Sequence, residues 1–191
     1  SIYYTKNHRS FRNFSVHNQD QFVHIEGTAT EHPTDTIRVG FSGVDVGYVL
    51  DLVNFHAVEF DGKAQGVAYL SQPFNQLDAK ATVKVDSFLF ENGRMGTLNA
   101  QVHWDNTQKH IVIDALANDG KDTVTDIQGY VAPGSPGEIN LGINARGTHI
   151  DFLHSFTSSF LESIEGHSHG KLNVVGPLNA INLVGKIAVN G

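Results

Sequence analysis

Glycines and prolines return at a fixed interval in this chain, and that return limits the folds open to it. Gly62, Gly66 and Pro73 precede an alternating run, Ala81-Thr82-Val83-Lys84-Val85. Gly166, Gly170 and Pro177 precede Gly185-Lys186-Ile187-Ala188-Val189, each landmark 104 residues after its counterpart. The same offset carries Ile37, Val39, Phe41 and Gly43 onto Leu141, Ile143, Ala145 and Gly147. It also carries Val46, Tyr48, Val49 and Leu52 onto Ile150, Phe152, Leu153 and Phe156. Farther upstream a two-residue shift pairs Ile25 and Gly27 with Ile127 and Gly129. A recurring unit of this kind points to an architecture built by stacking rather than to one catalytic pocket.

Within the unit the dominant period is two. Ala79 to Asp86, Leu98 to Asp105, Ile111 to Ala115 and Ile139 to Arg146 all alternate apolar with polar residues. Successive side chains of a strand point to opposite faces, so such runs predict strands with one buried and one wet face. Asn92-Gly93, Asp105 to Lys109, Asp119-Gly120 and Pro133 to Gly137 punctuate the runs as turns, which predicts a mainly antiparallel meander. Two stretches depart from alternation at equivalent places, Val46 to His56 and Ile150 to Ile164. In the second, Phe152, Leu153, Phe156, Phe160, Leu161 and Ile164 recur with helical spacing, and one short helix is expected in each unit. The expected organisation is a lead-in segment over 1–21 with no clear period, a first β-rich repeat over 22–125, and a truncated second repeat over 126–191. The two repeats pack as one continuous unit.

Composition removes several function classes. The net charge of −7 opposes the basic surface that nucleic acid requires. There is no cysteine, which rules out a disulfide scaffold, a thiolate zinc site and a Cys nucleophile. No apolar run approaches the ~20 residues that span a bilayer as a helix. The first residues, Ser1-Ile2-Tyr3-Tyr4, lack an export signal, and the chain is expected to be a fragment of a longer one.

Candidate chemistry is thin. His167-Ser168-His169 is the best chelating pair, since i and i+2 share a strand face, with Glu162 or Glu165 nearby. The equivalent first-copy residues are Lys63 and Gln65, which fits an exposed strand better than a metal site. His56, Glu59 and Asp61 fall opposite Phe160, Ser163 and Glu165, so this group is not part of the repeat either. No nucleophile elbow, phosphate loop or calcium-loop spacing occurs. No catalytic residue, metal or cofactor is expected, and the chain is read as a non-enzyme.

Taken whole, the unit runs from a strand to a short helix, then Gly-x-x-x-Gly, an alternating strand, a Pro-containing turn and another alternating strand. Ile164-Glu165-Gly166-His167-Ser168-His169-Gly170 through Gly176-Pro177-Leu178 to Gly185-Lys186-Ile187 resembles the AsmA-like family, more particularly the TamB translocation and assembly module proteins of Gram-negative bacteria. Asp86-Ser87-Phe88, Gly93-Arg94-Met95-Gly96-Thr97-Leu98 and His103-Trp104-Asp105-Asn106 carry the same likeness, which extends from about Phe22. Leu77 and Ile181 stand where the family places a second Pro, and Gln72 and Ala81 replace glycines. The resemblance implies an elongated, strongly curved antiparallel sheet, an open trough or taco-like shape, with an apolar concave surface. It implies a periplasmic scaffold in a parent anchored to the inner membrane. Its partners would be phospholipid acyl chains or unfolded outer-membrane protein strands, and an outer-membrane barrel reached through other parts of the parent. Acyl chains would then run along Val83, Val85, Leu98, Val102, Trp104, Ile111, Ile113, Leu141 and Ile143. The competing expectation is a secreted or surface β-sandwich, with a sealed core, serving adhesion or carbohydrate binding. A further one is an edge strand that templates an incoming strand.

Overall fold

The computed structural model describes residues 2–5, 8–30, 32–48, 59–73, 75–120, 122–134, 136–149 and 167–190. Alternation becomes one antiparallel sheet. Its strands are β1 (Ile2–Thr5), β2 (His8–Asn18), β3 (Gln21–Ala29), β4 (Thr36–Asp45), β5 (Phe60–Ser71), β6 (Asp78–Phe90), β7 (Gly93–Asp105), β8 (His110–Asn118), β9 (Val124–Ala132), β10 (Glu138–His149), β11 (His167–Pro177) and β12 (Asn182–Asn190). Each strand pairs with the next in sequence, and the order runs from β1 to β12 without a crossover. The two end strands do not pair with each other, so the sheet is open. Residues 2–18, which show no clear period in sequence, supply β1 and β2. The expected boundary between 125 and 126 falls inside β9. Val46 to Tyr48 begin a helical turn; the rest of the first expected helix, and all of the second, lie outside the described residues.

The turn between β6 and β7 differs from the Asn92-Gly93 reading by one residue. Phe90 pairs with Gly93, so the two-residue loop is Glu91-Asn92, with φ of 49° and 62°. Positive φ at both central positions is what the I′ hairpin demands. Asn tolerates it and Glu does so at a cost, while Gly93 opens the next strand.

Register places the apolar residues in rows that cross the strands. One row runs Val23, Phe41, Gly66, Val83, Ala100, Ala115, Ile127, Ile143, Leu172. The next runs Ile25, Val39, Ala68, Ala81, Val102, Ile113, Gly129, Leu141, Val174, Leu183. All these residues share a face, because each pair sits directly opposite across a ladder. The opposite parity is mostly polar, with Val67, Tyr69, Val112, Leu116 and Tyr130 among its exceptions. In β10 the apolar positions Ile139, Leu141, Ile143 and Ala145 are buried, and the polar positions Glu138, Asn140, Asn144 and Arg146 are exposed.

The core lies on the apolar face. Ala64, Val85, Phe88, Phe90 and Met95, from β5 to β7, belong to one cluster with Ile139, Leu141, Ile143, Leu172 and Val174, from β10 and β11. Phe60 stacks on Phe88 and Phe90, with ring centroids 5.9 and 5.4 Å away. Burying each Val, Leu, Ile, Phe or Met side chain stabilises the fold by about 1.5–3 kcal/mol before entropy is counted. Strands β7 and β10 come within 8 Å of each other, Cα to Cα, although two strands separate them in the sheet.

Candidate functional site

No side-chain cluster with catalytic geometry stands out among the described residues, and the candidate site is the apolar face itself. The structure places all nine residues expected to line a groove on that face. Val83 and Val85 lie on β6, Leu98, Val102 and Trp104 on β7, Ile111 and Ile113 on β8, and Leu141 and Ile143 on β10. The ladders join them through Val85–Leu98, Val102–Ile113 and Trp104–Ile111, and through Gly129 between Ile113 and Leu141. They divide by burial. Val85, Leu141 and Ile143 are buried in the core; the other six are half-buried. Ile127, Leu172, Val174 and Leu183 belong to the same face and were not among the nine. Their alternation in sequence is as regular, so the same signal identifies them.

Trp104 is fixed at the end of β7. Its Nε1–H donates to Asn106 Oδ1 at 3.1 Å, and Asn106 Nδ2 donates to the Leu77 carbonyl at 2.5 Å. The indole thus keeps its polar atom satisfied while its rings continue the apolar row toward Ile111. The β7–β8 turn is held by Asp105, whose Oδ1 accepts the N–H groups of Thr107 at 2.8 Å and Gln108 at 2.9 Å. The Gln108 bond, chiefly, holds the Asp105 carboxyl below the usual range, with smaller contributions from Thr107, His110 and His103. Because the folded value is the lower one, Asp105 favours the fold above the unfolded carboxyl pKa of ~3.9, and that contribution is lost as pH falls through the folded value. Asp105→Asn is therefore expected to lower the unfolding midpoint at neutral pH, and the gap to the parent is expected to close in acid. Thermal unfolding followed by circular dichroism from neutral pH into acid checks this; a pH-independent gap would contradict it.

The histidines are drawn into other contacts. The rings of His149 and His167 lie 4.5 Å apart. His149 Nε2 is 3.4 Å from Asp119 Oδ2, and the Arg94 guanidinium holds the same carboxylate through Nε at 2.7 Å and Nη2 at 2.8 Å. That carboxylate raises the Arg94 pKa, first through the hydrogen bond and then through charge. A guanidinium already occupies the carboxylate that a cation would need. His167 and His169 are exposed, and among the described residues no group of three or more His, Asp or Glu could hold a metal ion. Glu162, Glu165 and His56 lie outside the described residues. Glu59 accepts the Asn92 amide at 3.5 Å across the β5–β6 edge, and Asp61 accepts the neighbouring Gly62 N–H at 2.6 Å. Tyr130 donates to Glu138 Oε1 at 2.7 Å, and that bond raises the phenol pKa.

Comparison with known proteins returned no match: no protein-family model, no curated protein and no solved structure is significantly similar to this chain. Among the described residues no helix is long and apolar enough to cross a membrane.

Proposed function

We propose that the chain is a segment of a periplasmic TamB/AsmA-like scaffold, non-enzymatic, whose apolar face guides phospholipid acyl chains or unfolded outer-membrane protein strands between the two membranes. The observation that carries this reading is the apolar row across nine successive strands, from Val23 on β3 to Leu172 on β11, in which Val23, Phe41, Val83 and Ile127 are half-buried and Ala100, Ala115, Ile143 and Leu172 are buried. Non-directional burial suits a path, since apolar surface holds an acyl chain without fixing it at one point.

The finer architecture belongs to the same proposal. A curled sheet is supported by the approach of β7 to β10, since three strand spacings in a flat sheet separate such strands by about 14 Å. It is supported also by the burial of β6 and β10–β11 side chains in one cluster. Two units of about 104 residues are supported by matching backbone detail. Gly43 and Gly147 have φ of 66° and 68°, and each sits where the pairing register of its strand shifts. A Cβ at Gly43 would strike the Asp20 carbonyl, and one at Gly147 the Asp122 carbonyl. Those two carbonyls are related by the two-residue shift seen upstream in the sequence. Only glycine meets both the left-handed backbone and the close approach.

The test is mass spectrometry of material extracted from the protein purified without lipid-stripping detergent. Phospholipid in stoichiometric amount is expected. Protein that carries no lipid, and takes up none from vesicles, would remove the acyl-chain reading.

A further inference from the structure

The polar face of the sheet is also shaped. A groove of about 680 Å³ crosses β4 to β9 on the side away from the core, and Gln65, Thr82, Asn99, Gln101, Asp114 and Gln128 contribute to its lining. A second hollow, of about 340 Å³, shares Thr82 and Gln101 with it and ends against Tyr69, an exposed aromatic on the same face. The ladder Thr82–Gln101–Asp114–Gln128 sets one hydrogen-bonding side chain on each of four neighbouring strands. Neighbouring strands are ~4.8 Å apart, close to the advance per sugar along an extended pyranose chain.

We propose that this groove binds a neutral glycan chain laid across the strands, with Tyr69 as a stacking platform at one end. Three features select that ligand. First, Asn99 and Gln101 make no side-chain hydrogen bond among the described residues, and each amide offers a donor and an acceptor side by side, as adjacent hydroxyls require. Second, the charge in the groove disfavours a polyanion. Lys84 is paired with Asp86 at 3.0 Å, and Lys80, beside Tyr69 in the second hollow, is offset by Asp114 and Asp126, so the lining carries no net positive charge. Third, among the lining side chains that point into the groove Leu116 is the apolar one, so the surface has little to offer an acyl chain. This inference is independent of the lipid reading, because the two surfaces lie on opposite faces of the sheet.

The experiment is isothermal titration of the whole chain with cellohexaose and with chitohexaose. It is repeated on the Asn99→Ala/Gln101→Ala double variant and on Tyr69→Ala, each first checked for native circular dichroism. Saturable binding is expected for at least one hexasaccharide, with a loss of about tenfold or more in the double variant, the scale of two lost hydrogen-bonding groups. Absence of binding of both hexasaccharides up to the solubility limit, or binding undiminished by either variant, would overturn the proposal. Should the double variant fail to fold, Gln101→Glu serves instead: it keeps the side-chain length and removes the donor.

Discussion

Ile143→Asp is expected to unfold the chain. Ile143 is 5% exposed, lies between Ile127 and Leu172 on the neighbouring strands, and belongs to the cluster that joins β5–β7 to β10–β11. Both of its ladder neighbours are apolar. A carboxylate there must be desolvated without a partner or stay protonated, and it also forfeits the apolar contacts of the isoleucine. The cost is on the order of 5 kcal/mol, comparable with the whole stability of a typical domain. Ile143→Val removes one methylene and is expected to cost about 1 kcal/mol. Urea unfolding followed by circular dichroism distinguishes the two. A cooperative transition for Ile143→Asp near that of the parent would mean that this part of the face is open to water.

Val102→Asp is expected to behave differently. Val102 is half-buried, set between Ala81 and Ile113 in the middle of the sheet and outside the buried cluster. An aspartate there keeps its carboxylate in contact with solvent, so the chain is expected to stay folded with a loss of about 1–2 kcal/mol. Its effect falls on cargo, since an ionised group in the path of an acyl chain must be desolvated each time the chain passes. Phospholipid retained by the purified protein is expected to fall several-fold relative to Val102→Ala, read by quantitative mass spectrometry. Equal retention in both variants would place the lipid elsewhere. The pair of substitutions matters: a charge at Ile143 reports on folding and a charge at Val102 on the proposed lipid path, although both positions look alike in the sequence.

The contrast shows what the sequence can and cannot convey. Alternation is a local property, and it identifies the faces of β6, β7, β8 and β10, where the strands run for many residues without interruption. It does not say which part of an apolar face meets another part. Ile143 and Val102 are equally regular members of their runs, and only the approach of β10–β11 to β6–β7 buries one and leaves the other half-open. Strand β2 is illegible for a different reason. Its register against β3 shifts between Phe11 and Phe14, and Asn13 there has φ of 46°, so the period of two is broken mid-strand. The β6–β7 turn is displaced by one residue because Asn-Gly pairs are read with both residues in the loop, whereas here Glu91 takes the first left-handed position. The polar groove leaves no signature at all. A pattern of Thr82, Asn99, Gln101 and Asp114 says that these residues face water, and only the shape of the sheet says that they line a hollow.

The proposed repeat is supported by a second pair of glycines. Gly27 and Gly129, paired in sequence by the two-residue shift, have φ of 114° and 150°. A Cβ at either would strike a carbonyl on the next strand, Thr36 for one and Asn140 for the other, 104 residues apart. The shift and the constant offset are thus both consistent with one contact made twice, at Gly27 and at Gly129.

The central claim is that the apolar face is the working surface, and photocrosslinking at single positions tests it most directly. Benzoylphenylalanine placed at Val102 and at Ile113 projects from the apolar face; placed at Gln101 and at Asp114 it projects from the polar one. Irradiation in the presence of phospholipid vesicles is predicted to give lipid adducts at 102 and 113 and none above background at 101 and 114, as read by the mass of the intact protein. Adducts of equal yield at all four positions, or none at 102 and 113 in protein that remains folded, would contradict the account.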